Sequence, residues 1–400
     1  GTDDLRLIEQ GSEVGGFLKP YNGHLSVVIL AAYRGVVEVG GLAYGPLAVL
    51  GTICLAAVPV GFFVTTRRAL GPVLAAVLAM PLLWGAVSLR PSSLNHHLAL
   101  LGAVACAAAL DRGPRADRLL ALALTFALAS AGGGLVVAGA CALHNLLTRA
   151  SRDRWLAVIG PTVIWGAWWW FLADGDPVKA PQPLSGADRI DAIRDLLLAP
   201  FENVALGHGW VAAALVAAFL LYGVRRCMQG TDRAASFLAW TAAMVLWAVA
   251  VVQSRGTLAD ASVARYTYPM LGYALLALVP PQPITRSERF QVLQARRWAW
   301  PAALVVLAVG GVRVADSDSG LRAEAQRQAN SARDARGTVL VVDQAPDALG
   351  ADVPLRFYGS FDRGTVADLR RLIQRYGLPR STTGAVERQL IDLDVVRVER

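Results

Sequence analysis

The chain has 400 residues, 55% of them hydrophobic and 17% charged, with a formal net charge of +8 and a mean hydropathy of +0.44. That is too apolar for a soluble domain with a water-facing surface, and it reads as an all-α polytopic membrane protein. No GxxxxGK phosphate loop, Rossmann glycine fingerprint or basic nucleic-acid footprint is present, so a soluble nucleotide donor and a nucleic-acid partner both lack a seat.

The opening segment, 1–42, begins GTDDLRLIEQ, with Asp3 and Asp4 where a helix would start and Leu5, Ile8 and Leu18 placed to face lipid or protein. It begins with glycine rather than methionine, and an upstream membrane helix is expected before it. Apolar runs near the length that crosses roughly 30 Å of hydrocarbon follow at 42–64, 69–88, 96–110, 119–131 and 134–147. Further runs at 155–173, 210–224, 236–253, 266–280 and 298–315 bring the spans to ten. Residues 119–147 read either as one helix interrupted by Gly132, Gly133 and Gly134 or as two short helices meeting there.

Charge chooses between these. With two helices, the loops holding Arg67 and Arg68, Arg112 to Arg118, Arg149 to Arg154, Arg225 to Arg233 and Arg286 to Arg297 all fall on one side. The positive-inside rule makes that side cytoplasmic, in a plasma (inner) membrane. The outer stretches are then 1–42, 89–95, 174–209 and 254–265, joined by the tail. Within 174–209, Ser185 and Asp188 form a capping-box pattern, and Ile190, Ile193, Leu196 and Leu197 mark a helix lying flat on the membrane. Its opposite face carries Asp188, Asp191 and Asp195.

The sequence therefore divides into a membrane region, 1–315, and a small extracytoplasmic α/β segment, 316–400. In the latter, 338–343 and 394–398 read as strands, and Val366, Leu369, Leu372, Ile373 and Tyr376 as an amphipathic helix ended by Gly377 and Pro379. Cys54, Cys106 and Cys141 lie in spans and Cys227 in a cytoplasmic loop, which argues against disulfides.

Ionisable groups gather on the outer face, where dehydrating them is costly and their clustering informative. They include Asp3, Asp4, His24, Arg90, His96, His97, Arg255 and Arg265. Asp3 and Asp4 suit either a solvated helix start or a pair of reacting carboxylates. In ARYTYP, Arg265 beside Tyr266 and Tyr268 suits either a snorkelling anchor in an aromatic belt or a phosphate ligand. His96 and His97 diverge by about 100° on a helix, so they make a poor metal pair. They suit contacts to a polar ligand or a solvated helix end. Trp168, Trp169 and Trp170 read as belt residues, one of which could stack on a ligand ring.

TDD in the first outer segment and the downstream PYNGHL (20–25) resemble membrane glycosyltransferases of the GT-C class, in particular uncharacterised actinobacterial members. The resemblance covers about 1–315 and implies a GT-C-like fold. It also implies a polyprenyl-phosphate-linked sugar as donor, an acceptor glycan, lipid or protein, and transfer on the extracytoplasmic face of the cell envelope. Asp3 would be the base or acceptor-orienting carboxylate, Asp4 its partner, and Arg265 the donor-phosphate ligand. Tyr266, Tyr268, His24, His96, His97, Arg90 and Arg255 would line the substrate site. A divalent cation held by the carboxylates is one option within this scheme, with no cofactor specified. The rival class is a transporter or flippase, for which the short pair at 119–147 is the supporting feature. A non-catalytic scaffold presenting the tail is the third.

Overall fold

The computed structural model describes residues 2–21, 24–40, 44–66, 71–83, 94–172, 184–256, 264–279, 298–308 and 366–376. About 90% of it is helical and no sheet forms among the described residues. The opening segment folds as α1 (Thr2–Ser12), a 3-10 turn (Val14–Leu18) and α2 (Val27–Gly40). Then come α3 (Tyr44–Thr66), α4 (Gly71–Leu83), α5 (Leu94–Asp111), α6 (Asp117–Ser130), α7 (Gly133–Leu147) and α8 (Arg152–Leu172). The chain continues through α9 (Gly186–Val204), α10 (Gly209–Met228), α11 (Thr231–Arg255) and α12 (Ala264–Leu278) to α13 (Trp298–Ala308) and α14 (Val366–Tyr376). The expected strands at 338–343 and 394–398, Arg90 and the helix stop at Gly377 lie outside the described residues.

Among the described residues four helical stretches are long and apolar enough to cross a membrane: Leu94–Asp111, Arg152–Leu172, Gly209–Met228 and Ala234–Arg255. The first and last are 72% and 61% buried inside the protein, whereas α8 and α10 are 17% buried. Hence α5 and α11 form the centre and α8 and α10 the rim. Rim residues such as Ile164 (73% exposed) and Leu221 (70% exposed) would be costly in water and are at home against lipid tails. At the centre, small residues let backbones approach, as lipid-embedded helices require. A Cβ on Gly102 of α5 would lie 2.7 Å from the Ala127 Cβ of α6.

Residues 119–147 are two helices, not one. α6 stops at Ser130, Ala131 is extended (φ −166°, ψ 168°), and Gly134 N–H donates to the Ala131 carbonyl at 2.9 Å to open α7. A Cβ on Gly134 would lie 2.5 Å from the backbone of Ala127 and Leu128, so only glycine allows this reversal.

Helix ends sort into two sets. At the arginine-rich end Arg154 Nε donates to Asp117 Oδ1 at 3.0 Å and Arg154 Nη1 to the Leu110 carbonyl at 3.3 Å, tying α8 to α6 and α5. There too, Asn145 Nδ2 donates to the Arg154 carbonyl (3.2 Å) and Tyr222 Oη to the Leu278 carbonyl (3.0 Å). The loops around Arg112 to Arg118 and Arg149 to Arg154 thus meet in space, while those holding Arg67, Arg68 and Arg286 to Arg297 lie outside the described residues. The opposite end gathers the starts of α5, α7 and α12 with the ends of α6 and α11.

Two expectations need adjusting. The helix α2, with Ile29, Leu30, Tyr33 and Val37 buried, was not anticipated within the opening segment. The helix α9 is capped as expected, the Ser185 hydroxyl accepting from Asp188 N–H (3.2 Å), and Asp188, Asp191 and Asp195 are exposed. Its apolar stripe, however, packs on neighbouring helices through Leu196, Ile193 and Leu197, leaving Ile190 70% exposed.

Candidate functional site

The site end is built around a tight reversal in the opening segment. Tyr21 and His24 exchange both backbone hydrogen bonds (2.9 and 3.0 Å), and Asn22-Gly23 between them is the sequence signal for such a hairpin. Tyr21 is buried, and the His24 ring sits against the α6–α7 reversal: a Cβ on Gly132 would lie 2.7 Å from its Nδ1. Burial, and secondarily the charge of Arg255 at the end of α11, lower the His24 pKa from 6.5 to about 4. The ring is therefore neutral at physiological pH, able to accept one hydrogen bond and donate another.

Next to it, the Trp247 ring of α11 covers Gly133, where a Cβ would lie 3.0 Å from the indole. Trp247 Nε1 donates to the Tyr266 carbonyl at 2.8 Å, and His96 meets the Trp247 ring edge-on at 5.6 Å. His97 meets Tyr268 in the same manner at 5.4 Å. The reading of these histidines as a solvated helix end does not hold, since His97 is 3% exposed and His96 partly buried. Tyr266 and Tyr268, each 2% exposed, are likewise interior residues rather than belt anchors. Trp168 also turns inward, donating Nε1 to the Leu18 carbonyl (2.7 Å), while Trp169 and Trp170 remain at the surface.

Both ring nitrogens of His97 and the Tyr268 hydroxyl find no hydrogen-bond partner among the described residues. Buried polar groups normally have one, and leaving one unmet costs about 1–3 kcal/mol. Donor and acceptor atoms at this end are thus available to a hydroxyl-bearing molecule. Arg255 adds a cation that no described carboxylate pairs with.

The structure brings His24, His96, His97, Arg255, Tyr266 and Tyr268 to one end. Asp3 and Asp4 occupy the first turn of α1 and Arg265 the second position of α12, all three with side chains outside the described residues. Leu7 and Ile8, one turn after the aspartates, are buried in one cluster with Tyr21, Leu94 and Leu98, the two leucines that flank His96 and His97. Trp247 and Gly132 were missed in sequence because a tryptophan inside an apolar span and a glycine at a turn carry no functional mark. No group of three His, Cys, Asp or Glu side chains gathers to hold a metal among the described residues. No protein-family model, no curated protein and no solved structure matches the chain.

Proposed function

We propose that the protein is a membrane glycosyltransferase of the GT-C kind that moves a sugar from a polyprenyl-phosphate donor to an acceptor hydroxyl on the extracytoplasmic face of the plasma membrane. The observation that carries this reading is the gathering of His24, His96, His97, Tyr266, Tyr268 and Arg255 from four separate segments at the end opposite the arginine-rich loops. Imidazoles and phenols suit sugar hydroxyls, aromatic faces suit sugar rings, and an arginine that no described carboxylate pairs with suits a lipid phosphate. In the proposed reaction the acceptor oxygen bonds to the anomeric carbon as the bond from that carbon to the phosphate oxygen breaks. Asp3 takes the acceptor proton and Asp4 orients the hydroxyl. The phosphate leaves with the electron pair, its charge met by Arg265 and Arg255.

A sugar-transfer assay on the purified protein with polyprenyl-phosphate sugars tests it. Asp3→Asn should lower turnover at least about a hundredfold with folding unchanged. Arg265→Gln should weaken use of the donor more than Arg265→Lys, which keeps the charge but not the bidentate fork. Full activity in both Asp3→Asn and Asp4→Asn would overturn the catalytic step as proposed, and no sugar transfer by the parent protein with any polyprenyl-phosphate sugar would overturn the reading.

One observation favours a lipid-linked-substrate flippase as the second reading. With 14 and 15 residues, α6 and α7 span only about 21–23 Å each, short of a membrane core, and their junction is buried beneath His24 and Trp247. Paired short helices are a transporter feature. Movement of a lipid-linked sugar across proteoliposomes without any covalent change would decide for it.

A further inference from the structure

The C-terminal helix α14, VADLRRLIQRY, takes no part in the proposed chemistry, yet it is not free of the bundle. Alone in water an 11-residue amphipathic helix is marginal and its leucines would be exposed. Here Leu372 is 3% exposed and belongs to the cluster formed by Leu7 and Ile8 of α1, Tyr21, and Leu94 and Leu98 of α5. Tyr376, four residues on and so on the same stripe, packs against that cluster and lies near Arg34 of α2. Arg371 Nη2, flanking the stripe, donates to Glu9 Oε1 of α1 at 2.8 Å.

These contacts connect α14 to three elements at the site end. α1 is itself only 11 residues long and depends on its neighbours for stability. Its C-terminal half rests on α2, where a Cβ on Gly11 would lie 3.1 Å from the Leu30 carbonyl oxygen. Further support comes from the 3-10 turn, whose Gly16 and Lys19 carbonyls accept from Gln10 Nε2 (3.0 and 2.8 Å), from Leu94 and Leu98 of α5, and from α14.

We infer that α14 is an intramolecular clamp: it seats Leu372 and Tyr376 on the α1–α2–α5 cluster and pairs Arg371 with Glu9, holding α1 and its Asp3–Asp4 turn at the site end. This stands whatever reaction the site performs. The surface it covers fits one kind of occupant, an amphipathic helix with an aliphatic residue, an aromatic one four positions later and a cation beside the aliphatic. The buried leucine supplies most of the hold, because the ion pair is exposed and screened. The pair fixes the orientation.

Amide hydrogen exchange on the full-length protein in lipid nanodiscs tests the clamp. Leu372→Asp should speed exchange across α1 at least about tenfold while the α6–α7 hairpin keeps its protection. Arg371→Glu should speed it less, and Glu9→Arg combined with Arg371→Glu should restore it. Loss of protection in α14 with none in α1 would overturn the inference. If Leu372→Asp also loosens the hairpin, the charge exchange decides, and failure of the double variant to restore α1 overturns it equally.

Discussion

His24 offers a measurement in which the structure sets both size and sign. Its ring lies against Gly132 and near Arg255, and its pKa falls from 6.5 to about 4, chiefly by burial. At 1.36 kcal/mol per unit the shift corresponds to about 3 kcal/mol. Because the folded value is depressed, the unfolded chain takes up a proton between pH 6.5 and 4 that the folded chain refuses. Stability is therefore lost as the pH falls through that window and is unaffected by this group above it. The expected loss is about 1.4 kcal/mol at pH 5.5 and about 3 kcal/mol below pH 4. Denaturant unfolding in detergent at pH 7.5, 5.5 and 4 measures it, with His24→Gln as the reference that removes this one titration. Gly132→Ala, which displaces the ring from its slot, should narrow the difference. Arg255→Gln should narrow it less, since the charge is the smaller cause. Parallel pH curves for the parent and His24→Gln would show that the ring is not held as described.

The exposed native thiol Cys227, beside Arg225 and Arg226, reports orientation. A membrane-impermeant maleimide should label it only after permeabilisation, and labelling in intact cells would place the arginine-rich end outside and reverse the proposed active face. A cysteine at position 133 would be a poor reporter from either side, since Trp247 covers it. At the other end, Arg154→Ala should destabilise the protein by about 3–5 kcal/mol, because it leaves the largely buried Asp117 without its partner. Replacing both residues by apolar ones of similar volume should cost much less in the same unfolding assay, and an equal loss would argue against a paired buried charge.

Most of the helices were legible in the sequence because apolar runs announce themselves by length and hydropathy, although of the ten expected spans only four described helices are long and apolar enough to cross a membrane. Charge correctly split 119–147 into two helices, where hydropathy alone was ambiguous. α2 was not legible: Arg34 and Glu38 interrupt its apolar pattern, and they satisfy each other at 2.7 Å one turn apart. Side-chain direction was the least accessible feature. Tyr266, Tyr268, His96 and Trp168 look like boundary residues by position, and only the crossing of α5, α8, α11 and α12 turns them inward. The clamp joins residues far apart in the chain, Glu9 and Arg371, and no local pattern could disclose it.

The two ends of the bundle are held by different kinds of bond, and the difference bears on function. At the arginine-rich end a buried guanidinium–carboxylate pair joins α6 and α8. Inside the site end the ties are neutral: Trp168 to the Leu18 carbonyl fastens the opening segment to α8, and Trp247 to the Tyr266 carbonyl fastens α11 to α12. Indole-to-carbonyl bonds in a low-dielectric interior strengthen without any charge to screen or titrate. Among the described residues this leaves Arg255 without a carboxylate partner. Among the described residues the ion pairs of the opening segment there, Arg371–Glu9 and Lys19–Glu13, lie at the surface. Moderate salt should consequently weaken the Arg371–Glu9 pair while buried Leu372 keeps α14 seated, and should leave the indole ties, and the helices they join, unchanged.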